Sequence, residues 1–309
     1  MTGSDQGPAA PGDEPADTVA WRVLLDETAQ RLADAGVASA AIESKWLVEE
    51  ASGSEGADLL VTLDEPATVR GVARLDDMVA RRCAGEPVQY VLGHWSFRTL
   101  DLLCDRRVLI PRPETEQVVG AALAELDQVL LARPQGHVPL VVDLGTGSGA
   151  IALSIVAEHA PSEVWAVDRS PDAVAVARAN LAGLGMAGAR VRIEQGSWFD
   201  PLPPERRGDV DLVVTNPPYI AAHEDLPASV AHWEPTQALV SGASGLEAYE
   251  AILAEVGGWL APGGSFVAEV GATQASAVAD LAAQAGLVDV RVLPDHAGHQ
   301  RTVIARRPG

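Results

Sequence analysis

The chain has 309 residues, 47% of them apolar, with 43 acidic against 22 Lys and Arg side chains and a formal net charge of -21. That length suits a main domain with a smaller companion. The charge argues against a binder that tracks nucleic-acid phosphates. Two cysteines, Cys83 and Cys104, cannot build a disulfide framework, and no CxxC spacing or other ligand cluster suggests a metal. The first residues carry no basic, apolar leader pattern, and no apolar run reaches membrane-spanning length. The expectation is a soluble cytoplasmic protein with no membrane partner.

Residues 1–17 are rich in Pro, Gly, Ala and Asp and read as a disordered tail. Residues 18–86 read as a small helical domain. Leu24, Leu25, Leu32 and Val37 begin it, and Ile42, Trp46, Leu47 and Glu50 follow at helical spacing before Gly53. Val69, Val72, Leu75, Met78 and Val79 make a further amphipathic stripe that ends at Gly85-Glu86-Pro87. These positions read as core. Residues 87–113 read as a β-hairpin linker, with β-like runs at Val88–Val91 and Phe97–Leu103 on either side of Gly93-His94. His94 has no partner at ligand spacing and reads as structural. In Leu109-Ile110-Pro111-Arg112-Pro113-Glu114-Thr115-Glu116 the prolines hold an extended segment, and Pro113 opens a helix with acids in its first turn. Two readings stay open there: a linker with a good helix start, or a segment presenting Arg112 and Glu114 to a neighbouring site.

From residue 114 to 309 strands and helices alternate. Strands are expected at Pro139–Asp143, Glu163–Asp168, Arg190–Gln195, Asp209–Thr215 and Gly264–Val270, and helices at Ser148–His159, Pro171–Leu184, Leu246–Leu260 and Thr273–Ala285. Val288–Leu293 and Arg301–Ala305 have no helix between them and should be antiparallel neighbours. This order implies an α/β fold with a mostly parallel sheet covered on both faces and an antiparallel end, the methyltransferase variant of the doubly wound fold.

Asp143-Leu144-Gly145-Thr146-Gly147-Ser148-Gly149 lies between a predicted strand and a predicted helix, where glycines permit close backbone approach. Asp168 ends the next strand, about 20 residues on, the offset of a ribose-binding acid. The loop lacks the last glycine of the dinucleotide fingerprint and has no Lys or Arg. A nucleoside without pyrophosphate fits better, and S-adenosylmethionine is the obvious one. Trp198 is placed either to cover an adenine face or, with Phe199, to anchor the core.

Asn216-Pro217-Pro218-Tyr219 follows a buried strand, at the edge where open α/β sheets bind ligands. Two prolines stiffen the turn and leave carbonyls free to accept. Asn216 adds an acceptor oxygen and two donors, and Tyr219 a flat face. The set reads as a socket for a planar NH-bearing group, beside the plainer reading of a strand-ending turn.

Glycine-rich loop, acid after the second strand and Asn-Pro-Pro-Tyr after the fourth together resemble a class I S-adenosylmethionine-dependent methyltransferase acting on a planar nitrogen. Glu86-Pro87-Val88-Gln89-Tyr90, the segment 109–116 and Ala297-Gly298-His299-Gln300-Arg301 narrow the resemblance to the HemK/PrmC family. These are protein-(glutamine-N5) methyltransferases that modify the Gly-Gly-Gln glutamine of class I peptide chain release factors. The resemblance runs from about residue 20 to the end. It implies that the helical domain helps hold the release factor, with no direct nucleic-acid partner and a monomeric enzyme. It also implies that Gly145, Thr146, Gly147, Ser148, Gly149, Asp168, Trp198 and Asn216 contact the cofactor. Asn216, Pro217, Pro218 and Tyr219 would meet the substrate glutamine, with Asn216, Pro217 and Tyr219 in the catalytic role. Ser197 stands where the family often has an acid, and Ser244 where an Asp is frequent. Rival readings are a glutamine methyltransferase of a ribosomal protein and an amino-purine methyltransferase acting on DNA or rRNA.

Overall fold

The computed structural model describes residues 18–159 and 161–309; the expected tail at 1–17 lies outside the described residues. Two compact units meet in sequence between Leu92 and Gly93.

The first unit is helical. It contains α1 (Trp21–Asp34), α2 (Ala40–Ser52), α3 (Gly56–Thr62), α4 (Val69–Cys83) and α5 (Val88–Leu92). Leu32, Leu47, Val48, Leu75 and Val79 form its interior. Thr68 opens α4 by accepting from the Gly71 amide at 3.0 Å, and Gly53 closes α2 in the left-handed region. Ile42 and Val69, expected in the core, are 57% and 89% exposed, because each sits in the first turn of its helix, off the buried stripe.

One expectation is corrected here. Val88–Val91 is not a strand but the body of α5. A five-residue apolar run cannot be assigned by periodicity alone; what decides it is the Arg81 guanidinium. Arg81 pairs with Glu86 and donates to the Tyr90 and Val91 carbonyls at 2.9 and 3.3 Å, satisfying the acceptors that a short helix leaves open at its end.

The second unit opens with the hairpin β1 (His94–Phe97) and β2 (Leu100–Leu103). His94 bonds Asp101 on the opposite strand at 2.8 Å. Then come α6 (Pro113–Leu131), β3 (Leu140–Leu144), α7 (Ala150–Glu158), β4 (Glu163–Asp168), α8 (Pro171–Ala182), β5 (Val191–Gln195) and β6 (Val210–Thr215). Two single-turn helices, α9 (Ala228–Ala231) and α10 (Thr236–Leu239), lead to α11 (Glu247–Trp259), β7 (Leu260–Glu269), α12 (Ala275–Gln284), β8 (Val288–Pro294) and β9 (Gln300–Arg306).

The seven-stranded sheet runs β5-β4-β3-β6-β7-β9-β8. Neighbours from β5 to β7 are parallel, and β9 lies antiparallel to both β7 and β8. Side chains alternate between two cores. Val141, Leu212 and Val214 face α6 and α7, while Val142, Leu144 and Val213 share the other core with Tyr249, Ile252 and Val278 of α11 and α12. Strand order therefore reverses direction at β3, with β4 on one side and β6 on the other, which places the carboxyl ends of β3, β4 and β6 around one crevice. Among the described residues no helix is long and apolar enough to cross a membrane.

Candidate active site

A cavity of about 330 Å³ opens at those carboxyl ends. Gly145, Thr146, Gly147 and Ser148 line it from the β3–α7 turn, Asp168 from the end of β4, Trp198 from the segment after β5, and Asn216 and Pro218 from the segment after β6. Four sequence-distant stretches thus meet at one cavity. Gly149 is not on the wall; it is the cap residue of α7, at φ 86°. Pro217 and Tyr219 are not on the wall either. Pro217 is buried, and Tyr219 is half-buried against the core beside α11.

The glycine turn is built on β4. The Gly145 and Thr146 amides donate to the Val167 carbonyl at 2.8 and 3.0 Å. Gly145 sits at φ 74°, and a Cβ there would lie 3.9 Å from both the Trp198 ring and the Asn216 carbonyl, in the passage between them. Beneath the turn, Asp143 is fully buried. Its Oδ2 accepts from the Thr146 hydroxyl at 2.6 Å and the Ala152 amide at 3.1 Å, while Oδ1 has no partner. Burial pushes this carboxyl up to about 7, against the pull of those two hydrogen bonds.

Asp168 accepts from the Gly147 amide at 2.9 Å through Oδ2 and from Ser170 at 2.9 Å through Oδ1. Burial raises its carboxyl above the ordinary value, and the two amide bonds oppose that rise. A carboxylate oxygen has lone pairs beyond one hydrogen bond each, so this side chain can still accept from a diol. Trp198 holds a left-handed φ of 42°, uncommon for a bulky residue, and this separates it from its neighbour. Phe199 is in the core, stacked on Trp259 at 5.5 Å, while Trp198 stands at the cavity.

Asn216 is tied from behind. Its Nδ2 donates to Thr115 Oγ1 at 3.1 Å, and the Thr115 hydroxyl donates to Glu269 Oε2 at 2.6 Å. Glu269 ends β7 and is 2% exposed; burial lifts its carboxyl to about 7, against the Thr115 hydrogen bond and the attraction of Arg301. The rest of the tetrapeptide is held by Gln274, whose Nε2 donates to the Tyr219 carbonyl at 2.8 Å and the Gly245 carbonyl at 3.3 Å. Burial also raises the Tyr219 phenol.

Of the pair Arg112 and Glu114, Arg112 lines the cavity and Glu114 does not. Arg112 forms an ion pair with the buried Glu234, which also accepts from the Ile110 amide at 3.2 Å. The residue of that segment that touches the tetrapeptide is Thr115. Thr115, Glu269 and Gln274 were not singled out in the sequence. Glu269 had a usable signal, an acid ending the apolar run Phe266–Ala268 at the ligand-binding edge of the sheet.

Known proteins give this site a family. A family model for the PrmC N-terminal domain matches residues 24–93, and one for the methyltransferase small domain matches residues 124–243. The release factor glutamine methyltransferase of Cereibacter sphaeroides is 41% identical over 280 residues, 90% of this chain and 95% of that protein. That of Moorella thermoacetica is 41% identical over 289 residues, 93% of this chain and 98% of that protein. The crystal structure of the release factor-specific protein-(glutamine-N5) methyltransferase from Alicyclobacillus acidocaldarius has 29% identity and a TM-score of 0.39, over 65% of this chain and 95% of that one. At 41% identity across nine-tenths of its length, the chain belongs to the release factor glutamine methyltransferase family.

Proposed function

We propose that this protein transfers a methyl group from S-adenosylmethionine to the side-chain amide nitrogen of the Gly-Gly-Gln glutamine in class I peptide chain release factors. The observation that carries this reading is the Asn216 side chain. Its amino end is held by Thr115, so its oxygen is left to accept, on the wall of the same cavity that holds the glycine turn and Asp168. A pocket for a nucleoside and an acceptor for an N–H therefore share one space.

The residues present fit the cofactor. Asp168 accepts ribose hydroxyls, the Gly145–Ser148 backbone gives room that a Cβ would fill, and Trp198 offers a flat face to adenine. When bound, the cofactor supplies a methyl group already activated by a positively charged sulfur. The chain's task is then placement, because an amide nitrogen is a poor nucleophile whose lone pair is delocalised into its carbonyl. Asn216 Oδ1 accepts one N–H of the substrate amide, and the Pro217 carbonyl, whose residue does not line the cavity, would accept the other only from outside it; together they orient the nitrogen and raise its electron density. The stacking role of Tyr219 requires its ring to meet the substrate from outside the cavity. No side chain is needed as a dedicated base, since the proton is acidic once the nitrogen carries the new bond. In this reading the helical unit helps hold the release factor, and the enzyme works as a cytoplasmic monomer.

The test is mass spectrometry of release-factor peptides after incubation with the protein and cofactor. The expected result is a gain of one CH₂ on the Gly-Gly-Gln glutamine, with ribosomal protein and nucleic acid unmodified in parallel reactions. Asn216→Ala should lower turnover on the order of 100-fold or more while weakening cofactor binding far less. A mutant with wild-type single-turnover rates would refute the assignment.

A further inference from the structure

We infer that Thr115 and Glu269 are positioning residues that hold the Asn216 amide with its oxygen toward the cavity. The inference rests on the methyl-transfer reading above and deepens it, extending the Thr115 contact to the buried Glu269 behind it.

An asparagine amide is nearly symmetric in shape, yet its two ends are chemically opposite. With Oδ1 facing the cavity, Asn216 accepts an N–H; turned over, it would present two N–H groups to an N–H and repel the substrate. Packing alone cannot choose between ends of similar size. Hydrogen bonding can. Thr115 Oγ1 has one proton, and at 2.6 Å from Glu269 Oε2 that proton points to the carboxylate. Its remaining lone pairs can only accept, so the atom of Asn216 at 3.1 Å must be the donor Nδ2. Reversing the amide would require the single Thr115 proton to serve Glu269 and Asn216 Oδ1 at once.

The three residues come from separate elements: Thr115 from the first turn of α6, Glu269 from the end of β7, and Asn216 from the end of β6. Thr115 and Glu269 are 4% and 2% exposed, so water does not compete for these bonds. Their burial makes the relay costly to break.

The relay also has a polarity that a proton on Glu269 would reverse. A protonated Glu269 donates to Thr115 Oγ1, which then donates onward to Asn216 Oδ1, and the amide turns. Arg301 on β9 and Arg112 at the start of α6 favour the ionised carboxylate, while Glu114 and burial oppose it; Tyr219 and Tyr249 are the other titratable groups facing it. Burial is the largest of these effects and lifts Glu269 to about 7, so the reversal falls within an accessible pH range.

The test uses the full chain with purified release factor and S-adenosylmethionine. Thr115→Val keeps the shape and deletes the hydroxyl; its kcat should fall on the order of 100-fold with cofactor Kd changed by no more than about threefold. Thr115→Ser should restore most of the rate. The Asn216 side-chain amide signals in a ¹⁵N–¹H spectrum, assigned by Asn216→Ala, should shift and exchange faster in Thr115→Val. Unmoved signals, or an unchanged kcat in a folded variant, overturn the inference. Because the spectrum needs no substrate, absence of methyl transfer by the wild-type protein refutes the functional reading while the relay is still judged. Should Thr115→Val fail to fold, Glu269→Gln takes its place. Wild-type kcat is expected to fall as pH drops through about 7, and Glu269→Gln should abolish that limb; a limb with the same midpoint in the variant overturns the proposal.

Discussion

Replacing Gly245 by alanine loads the tetrapeptide in a way that local distances define. Gly245 has φ +80°, and a Cβ there would lie 2.5 Å from the Tyr219 carbonyl oxygen, 2.8 Å from Gln274 Nε2 and 3.1 Å from the Ala221 amide nitrogen. The left-handed backbone costs an L-residue roughly 1–2 kcal/mol. Overpacking against backbone adds roughly 1–3 kcal/mol. The sum, about 2–5 kcal/mol, corresponds in a domain of this size to a Tm loss on the order of 10 °C. Gly286→Ala is the matched control, with φ +83° and nothing within 4 Å of its Cβ; it should lose only the strain component. Gly245→Ala must also displace the Tyr219 carbonyl or Gln274, whose hydrogen bond sets the position of the tetrapeptide. Its kcat should therefore fall at temperatures where both variants are fully folded. Calorimetry and turnover of the two variants side by side decide it. Equal Tm losses, or a wild-type kcat in Gly245→Ala, would refute the reasoning.

Asp143 supplies a pH-dependence of stability. Its folded value is about 7 against an ordinary 3.8, so across that window the native state holds a proton that the unfolded state has released. Stability then falls as pH rises, by at most about 1.4 kcal/mol per pH unit from this group. Denaturant unfolding at several pH values should show a shallower slope in Asp143→Asn, the remainder belonging to Glu269 and Asp168, whose carboxyls are also raised; an unchanged slope would exclude Asp143 as a source. Asn180 accepts from the Leu103 amide at 2.7 Å and donates to the carbonyls of Leu103 and Ser148 at 3.2 and 2.8 Å, linking the hairpin to the glycine turn. Asn180→Ala should cost about 1–3 kcal/mol and weaken cofactor binding in a titration, whereas an unaltered Kd would show that the turn holds its shape without the tie.

What could be read from the sequence was what repeats or punctuates. The central strands of the sheet are buried on both faces, so Val210–Thr215 and Leu140–Leu144 stand out as largely apolar runs, and the Pro and Gly residues that bound them mark their ends. Asp168 and Asn216 were legible as cavity residues because each sits at the end of such a run, where the chain must turn. Val88–Val91 was misread because five apolar residues carry no period, and the decisive partner, Arg81, is a side-chain contact. Thr115 and Glu269 were missed for a related reason. Each is ordinary in its own segment, a threonine inside an acidic helix start and an acid after a strand, and only the fold brings them together from 154 residues apart. Pro217 and Tyr219, read with Asn216 as one socket, lie off the cavity wall. A stiff turn does not reveal which of its residues face the cavity, since successive side chains leave it in different directions.

Two sets of carboxylates in this unit differ in what holds them, and the buried Glu234, paired with the cavity-lining Arg112, stands apart from both. Away from the site, Glu125 is held by Arg291 and Arg306, and Asp211 by Arg133 and His137; the two arginines keep Glu125 below its ordinary value despite burial. At the carboxyl ends of β3, β4 and β7, Asp143, Asp168 and Glu269 are bonded by hydroxyl and amide groups, and among the described residues none forms an ion pair. All three are raised. Neutral donors orient a carboxylate without cancelling its charge, so burial outweighs them and each of the three groups is driven toward its protonated form. A cation bound beside these groups, as the proposed methyl donor would be, favours their ionised forms and lowers all three values, a shift that a pH titration with and without the donor would read.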